Sequence, residues 1–122
     1  MLKENVKPLL VMSALFGILG VFMGGHLAGA GDYSLRAVHA HALVVGWLSL
    51  FSWGIYYQIF GSQGWLSKVH TWTAIIGTTG LVIGMWVYNT VGSTLTMISF
   101  IIGGTILMIS YILFLFIVIK QK

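Results

Sequence analysis

The chain has 122 residues, of which 58% are hydrophobic and 7% are charged, with a net charge of +4. A soluble domain carries about 25% charged residues, so this composition marks an integral membrane protein with no room for a separate soluble domain. The absence of cysteine excludes disulfides, thiolate metal sites and iron–sulfur clusters. The few basic residues lie at segment ends, where membrane topology uses them, and do not form a nucleic-acid surface.

A spanning helix needs about 20 consecutive apolar residues. The first such run is introduced by Pro8, which suits a first helical turn, and covers about residues 9–29. It follows Lys3 and Lys7 and ends in Ala28-Gly29-Ala30, a pattern that resembles a signal-peptide cleavage site. The run is longer than the apolar core of such a signal, so it reads as a retained span. Gly29, Gly31 and Asp32 break it. A second helix is expected over about 36–60, stopped by Gly61-Ser62-Gln63-Gly64. From Val69 to Ile119 no residue is charged. That stretch is too long for one span, and its single polar break, Asn89 to Thr94, divides it into helices of about 68–88 and 95–119. The expected fold is therefore all-α, one membrane bundle of four transmembrane helices. With both termini cytoplasmic, Lys3, Lys7, Lys68, Lys120 and Lys122 lie inside and only Arg36 outside, the bias that orients multi-pass proteins of a prokaryotic inner membrane.

Gly17, Gly20 and Gly24 in the first helix match Gly77, Gly80 and Gly84 in the third. Each set lies on one helix face, where small residues let helices approach closely. Ordinary membrane packing explains them. An internal repeat, or space made for a flat cofactor, is the functional alternative. The fourth helix reads as mostly lipid-facing.

The second helix carries His39 and His41. An ionisable side chain in hydrocarbon costs several kcal/mol unless it meets a partner, and for imidazole that partner is most often a metal. At about 1.5 Å rise per residue, His26, His39 and His41 share one layer, roughly 5–8 Å inside the outer boundary. His70 is placed at the start of the third helix, roughly 25 Å away, as an interfacial residue beside Lys68. Positions two apart on a helix diverge by about 200°, so His39 and His41 cannot chelate one ion together and serve one site on each face. Copper would need imidazoles that converge, so it is the weaker alternative. A heme needs one or two axial imidazoles and a flat apolar slot. Gly46, Gly54 and the first-helix glycines could open that slot, Trp47 could line it, and Arg36 could pair with a propionate. Without a C-x-x-C-H motif such a heme is a non-covalent b-type heme.

The run HAHALVVGWLSLFSWGIYY (residues 39–57), followed by LSKVHTWTAIIGTTGLVIGMW (residues 66–86), resembles consecutive helices near the C-terminal end of the heme–copper oxidase catalytic subunit. The closest likeness is to the C-type oxidases and nitric oxide reductases. It rests on His39-x-His41, Gly46-Trp47, Gly54 with Tyr56-Tyr57, Val69-His70-x-Trp72, Ile76-Gly77 and Met85-Trp86, and lies within residues 39–86. The resemblance implies that His39 and His41 are heme ligands, and gives His70 no ligand role. The family's copper-ligand helix has no counterpart here. The family subunit is built from three arcs of four helices, so the resemblance also implies a homotrimer that rebuilds them. In that assembly each heme lies between His41 of one chain and His39 of the next; the competing arrangement is His41 with His26 in one chain.

The expected function is thus a histidine-ligated heme b protein in electron transfer, and any enzymatic activity would be of the oxidoreductase kind. A gas-reactive heme protein or sensor for nitric oxide or oxygen is the main alternative. A copper-binding protein and a small transporter are further ones. A transporter of the small multidrug type depends on an acid in its first helix, and the only acids here, Glu4 and Asp32, lie at the ends of that helix. A purely structural or assembly subunit would leave the four histidines unexplained.

Overall fold

A computed structural model describes all of residues 1–122. It contains four helices and no strand: α1 (Val6–Ala30), α2 (Arg36–Phe60), α3 (Gly64–Val91) and α4 (Thr94–Lys120). Each is long and apolar enough to cross a membrane. The shortest have 25 residues, about 37 Å of helix against a hydrocarbon core of about 30 Å. Hydrocarbon offers no partner for a free N–H or C=O, and an α-helix satisfies both within its own segment.

The breaks follow local chemistry. Gly31 and Gly92 end α1 and α3 in the left-handed conformation, at φ of 64° and 71°. Their N–H groups return to Leu27 and Tyr88 carbonyls, the usual way a glycine closes a helix. Ser93 opens α4 by accepting the Thr96 N–H at 3.2 Å, an N-cap that satisfies one orphan donor. The third helix begins at Gly64, earlier than Lys68, and ends at Val91, later than Tyr88. The polar residues at its C-terminal end do not break it. Asn89 donates to the Met85 carbonyl and Thr90 to those of Trp86 and Val87, so these side chains are absorbed by the helix itself.

The second helix is not uniform. From Ala42 to Ser49 it winds as a π-helix, a rare form that is frequent at functional sites. Ser49 Oγ donates to the carbonyl of Val44, five residues back, at 3.1 Å, and pairs with the Tyr111 hydroxyl of α4 at 2.7 Å. The wider turn begins immediately after His41.

The helices pair as two hairpins, α1 with α2 and α3 with α4. The glycines on α1 and α3 are where the partners come closest. A Cβ on Gly17 would stand 3.0 Å from the Trp47 ring, one on Gly20 would overlap Leu43, and one on Gly24 would stand 2.8 Å from His39 Cε1. On α3, a Cβ on Gly77 would overlap the Leu107 backbone, one on Gly80 would stand 3.1 Å from the Gly103 Cα, and one on Gly84 would stand 2.8 Å from the Phe100 Cα. Residues 17 and 47 meet as do residues 77 and 107, and 20 and 43 as do 80 and 103, each pair at the same sequence interval. The two hairpins thus share their register at two of the three glycines; at the third they differ by one residue, 24 with 39 against 84 with 100. They also differ in what fills it: side chains in α1–α2, main chain in α3–α4. On α1 the glycine space is occupied by α2 itself.

An aromatic cluster joins the hairpins. Trp53 of α2 stands edge-on to His70 and to Tyr111, each at 4.8 Å between ring centroids, and Phe114 of α4 covers His70 at 5.4 Å. At one end, Gln63 donates to the Ile117 carbonyl at 2.9 Å and Lys3 Nζ to the Ile59 carbonyl at 3.2 Å. These bonds tie the N-terminus and the α2–α3 turn to the ends of α4 and α2.

Gly103 and its neighbour Gly104 separate packing from composition. A Cβ on Gly103 would overlap the Gly80–Leu81 backbone, which cannot rotate away, whereas one on Gly104 would make ordinary contact with Leu81 Cδ1 at 3.5 Å. Gly103→Ala is expected to lower stability by about 1–3 kcal/mol, and Gly104→Ala to leave it nearly unchanged. Denaturant titration of both variants in detergent, followed by circular dichroism, checks the difference.

Candidate functional site

His39 sits on the α2 face that meets α1. Its Nδ1 lies 2.7 Å from the Gly20 carbonyl oxygen, and its ring rests against Gly24. His41 leaves the helix in another direction. Its Nδ1 lies 2.7 Å from the Ala37 carbonyl oxygen, one turn back on its own helix. It lines a small cavity with Ala40, Val44 and Val45, all residues of α2. The divergence read from the spacing is therefore present in the folded chain.

These two bonds carry chemical information. A carbonyl oxygen only accepts, so each Nδ1 carries the proton. In the neutral ring the lone pair is then on Nε2. Neither Nε2 has a hydrogen-bond partner. A backbone carbonyl that holds the Nδ1 proton is the usual device for orienting a metal-ligating imidazole and raising its basicity. Each ring thus keeps an unpaired Nε2, that of His39 beside Gly24 of α1 and that of His41 on another side of α2.

Beside His41, across the shared Val44, lies an apolar groove of about 430 Å³ between Gly17 and Val21 of α1 and Leu43, Val44, Trp47 and Leu48 of α2. Trp47 is 42% exposed and stacks on Phe51 at 5.9 Å. It is a groove wall rather than a core residue. The groove is almost entirely non-polar, and it faces outward from the bundle. Arg36 is exposed at the start of α2 with its guanidinium 5.2 Å from the Tyr33 ring centre, a cation–π contact that leaves its donors available to a carboxylate.

His26 lines a different cavity, of about 330 Å³, together with Phe22, Met23, Leu35 and Trp86. No group of three or more histidine, cysteine or acidic side chains gathers around a common point. The structure therefore shares the residues of the layer between separate surfaces: His39 in the α1–α2 contact, His41 on the α2 face and His26 under Trp86.

His70 faces the inside of the bundle. The helix begins six residues before it, so His70 is in the second turn, on the face turned to α2 and α4, and is 0% exposed. Its Nδ1 is 2.7 Å from the Tyr57 hydroxyl, and Tyr57 is equally buried. Its Nε2 has no partner among Trp53, Tyr57 and Phe114. A helix start at Lys68 makes His70 a helix-end residue, and the earlier start at Gly64 brings it onto the buried face. The sequence signal for that face is the helical spacing of Ser67, His70, Thr71, Ala74 and Thr78.

No protein-family model, no curated protein and no solved structure matches this chain.

The tautomers are directly measurable. Nitrogen NMR of histidine-labelled, metal-free protein is expected to show His39 and His41 protonated on Nδ1, the minor form of free imidazole. A Cβ at Gly24 would press on the His39 ring, so Gly24→Ala is expected to move the His39 signals toward the mixed tautomers of free imidazole and leave those of His41 in place. Nε2–H forms for both rings in the wild type would refute the assignment.

Proposed function

We propose that the chain is a membrane heme b-binding protein that resembles one four-helix arc of the heme–copper oxidase catalytic subunit and works in electron transfer. The observation that carries the reading is the pair of Nδ1-to-carbonyl bonds at His39 and His41, which leaves two Nε2 lone pairs in an otherwise apolar layer. The resemblance of the H-x-H helix and the helix after it supports the same assignment. A bound heme would supply a one-electron redox centre. The chain's own residues would hold its iron through His39 and His41, seat its apolar face in the groove against Trp47 and Val44, and meet a propionate with Arg36. The non-polar groove lacks groups that would solvate the ring, which favours a buried macrocycle over a hydrated metal ion.

His39 and His41 point different ways, so one chain presents one imidazole to each site. A second imidazole must come from a neighbour. This supports the homotrimer, with His41 of one protomer and His39 of the next on opposite faces of each heme. The lysine distribution supports cytoplasmic termini in a prokaryotic inner membrane. If no neighbour supplies the second imidazole, each iron keeps an open position. That same observation favours, as a second reading, a gas-reactive or gas-sensing heme.

The purified protein is expected to show a Soret band that shifts and sharpens on reduction, and to lose its low-spin spectrum in His39→Ala and in His41→Ala. A colourless protein that takes up no added heme would end the proposal. Co-expression of the two alanine variants is expected to restore a bis-histidine spectrum in a fraction of mixed trimers. Failure of every mixture would leave His26 as the axial partner of His41 within one chain. Carbon monoxide is expected to leave the reduced wild-type spectrum unchanged; a shift would select the gas-reactive reading.

A further inference from the structure

Met23 and His26 are three residues apart on α1, so their side chains are neighbours on one face. Both line the cavity of about 330 Å³ that Trp86 of α3, Leu35 and Phe22 complete. Met23 is 3% exposed and packs in the core cluster, at the inner wall of this cavity, while His26 is exposed at its edge. His26 is the one histidine whose ring nitrogens make no hydrogen bond; the other three are each held through Nδ1. Its imidazole is therefore free to present either nitrogen.

We infer that this cavity is a binding site for a soft monovalent cation, cuprous copper in particular, held by the Met23 thioether and the His26 imidazole. The donor set decides the class. Thioether sulfur is a soft ligand that selects Cu(I), and imidazole suits copper. Both donors are neutral, and the remaining wall is apolar apart from the Trp86 indole. A divalent ion would enter with twice the charge and no carboxylate or thiolate to balance it, at a desolvation cost that a monovalent ion largely avoids. The Trp86 indole adds a ring face suited to a cation. Two protein donors leave a cuprous ion short of its preferred coordination, and the cavity has space for a small third ligand. The site lies apart from His39 and His41, and it rests on the reading in which His26 is not an axial partner of His41.

The test is a Cu(I) titration of the full-length protein in detergent under reducing, oxygen-free conditions, in competition with the chromogenic chelator bicinchoninate. The wild type is expected to withdraw about one Cu(I) per chain. Met23→Leu keeps the shape and apolar character of the buried side chain and removes only the sulfur; it is expected to weaken Cu(I) retention at least tenfold, as is His26→Ala. His39→Ala and His41→Ala are expected to retain the metal. X-ray absorption at the copper edge is expected to report one sulfur and one nitrogen scatterer from the protein. A wild type that does not compete with the chelator overturns the site. So does full retention by Met23→Leu, or loss of copper in the His39 or His41 variants. Because the readout is metal retention, it stands or falls apart from any heme spectrum.

Discussion

Hydrocarbon contains no hydrogen-bonding solvent, and every polar group of this chain must answer to that constraint. The backbone meets it by winding into four continuous helices. Side chains meet it locally: Asn89, Thr90 and Ser49 return their donors to nearby carbonyls of their own helix. Three of the four imidazoles, at His39, His41 and His70, meet it by bonding one nitrogen to a carbonyl or to a tyrosine hydroxyl. An imidazole has two nitrogens, however. A bond at Nδ1 leaves Nε2 as an unpaired acceptor, and that is the state of His39 and His41.

The glycine registers place this layer. Association within a bilayer depends on close packing more than on hydrophobic burial. The α3–α4 hairpin packs main chain on main chain at Gly77, Gly80 and Gly103. In the α1–α2 hairpin the glycines are faced by Trp47, Leu43 and His39. One hairpin is closed by its glycines. The other uses them as seats, so that His39 is pinned against Gly24 and Trp47 leans out over Gly17 to form the groove. The π-helical turn that starts after His41 sets the direction of Trp47 relative to the histidines and brings Ser49 to Tyr111.

The other buried imidazole works differently. His70 and Tyr57 form a hydrogen-bonded pair inside an aromatic cage that connects the two hairpins. No cavity adjoins it, so its place is in the junction, where it fixes the angle at which α2 meets α3 and α4. His41 borders a cavity and His39 sits half-buried in the α1–α2 contact, whereas His70 is enclosed on every side.

Composition and the spacing of glycine and polar breaks determined the four spanning helices, because apolar length alone decides what can cross hydrocarbon. The interval between His39 and His41 determined that they diverge, because that is a property of any helix. Tertiary structure decided the rest. It decided that His70 is buried, since the start of α3 depends on whether Trp65 and Leu66 join the helix rather than on the charge of Lys68. It decided that Ala42 to Ser49 form a π-helix, which has no local signature in these residues. It also decided that Met23 and Trp86, from different helices, line one cavity with His26. Sequence spacing reports what one helix does alone; which faces meet is settled by the packing of several helices at once.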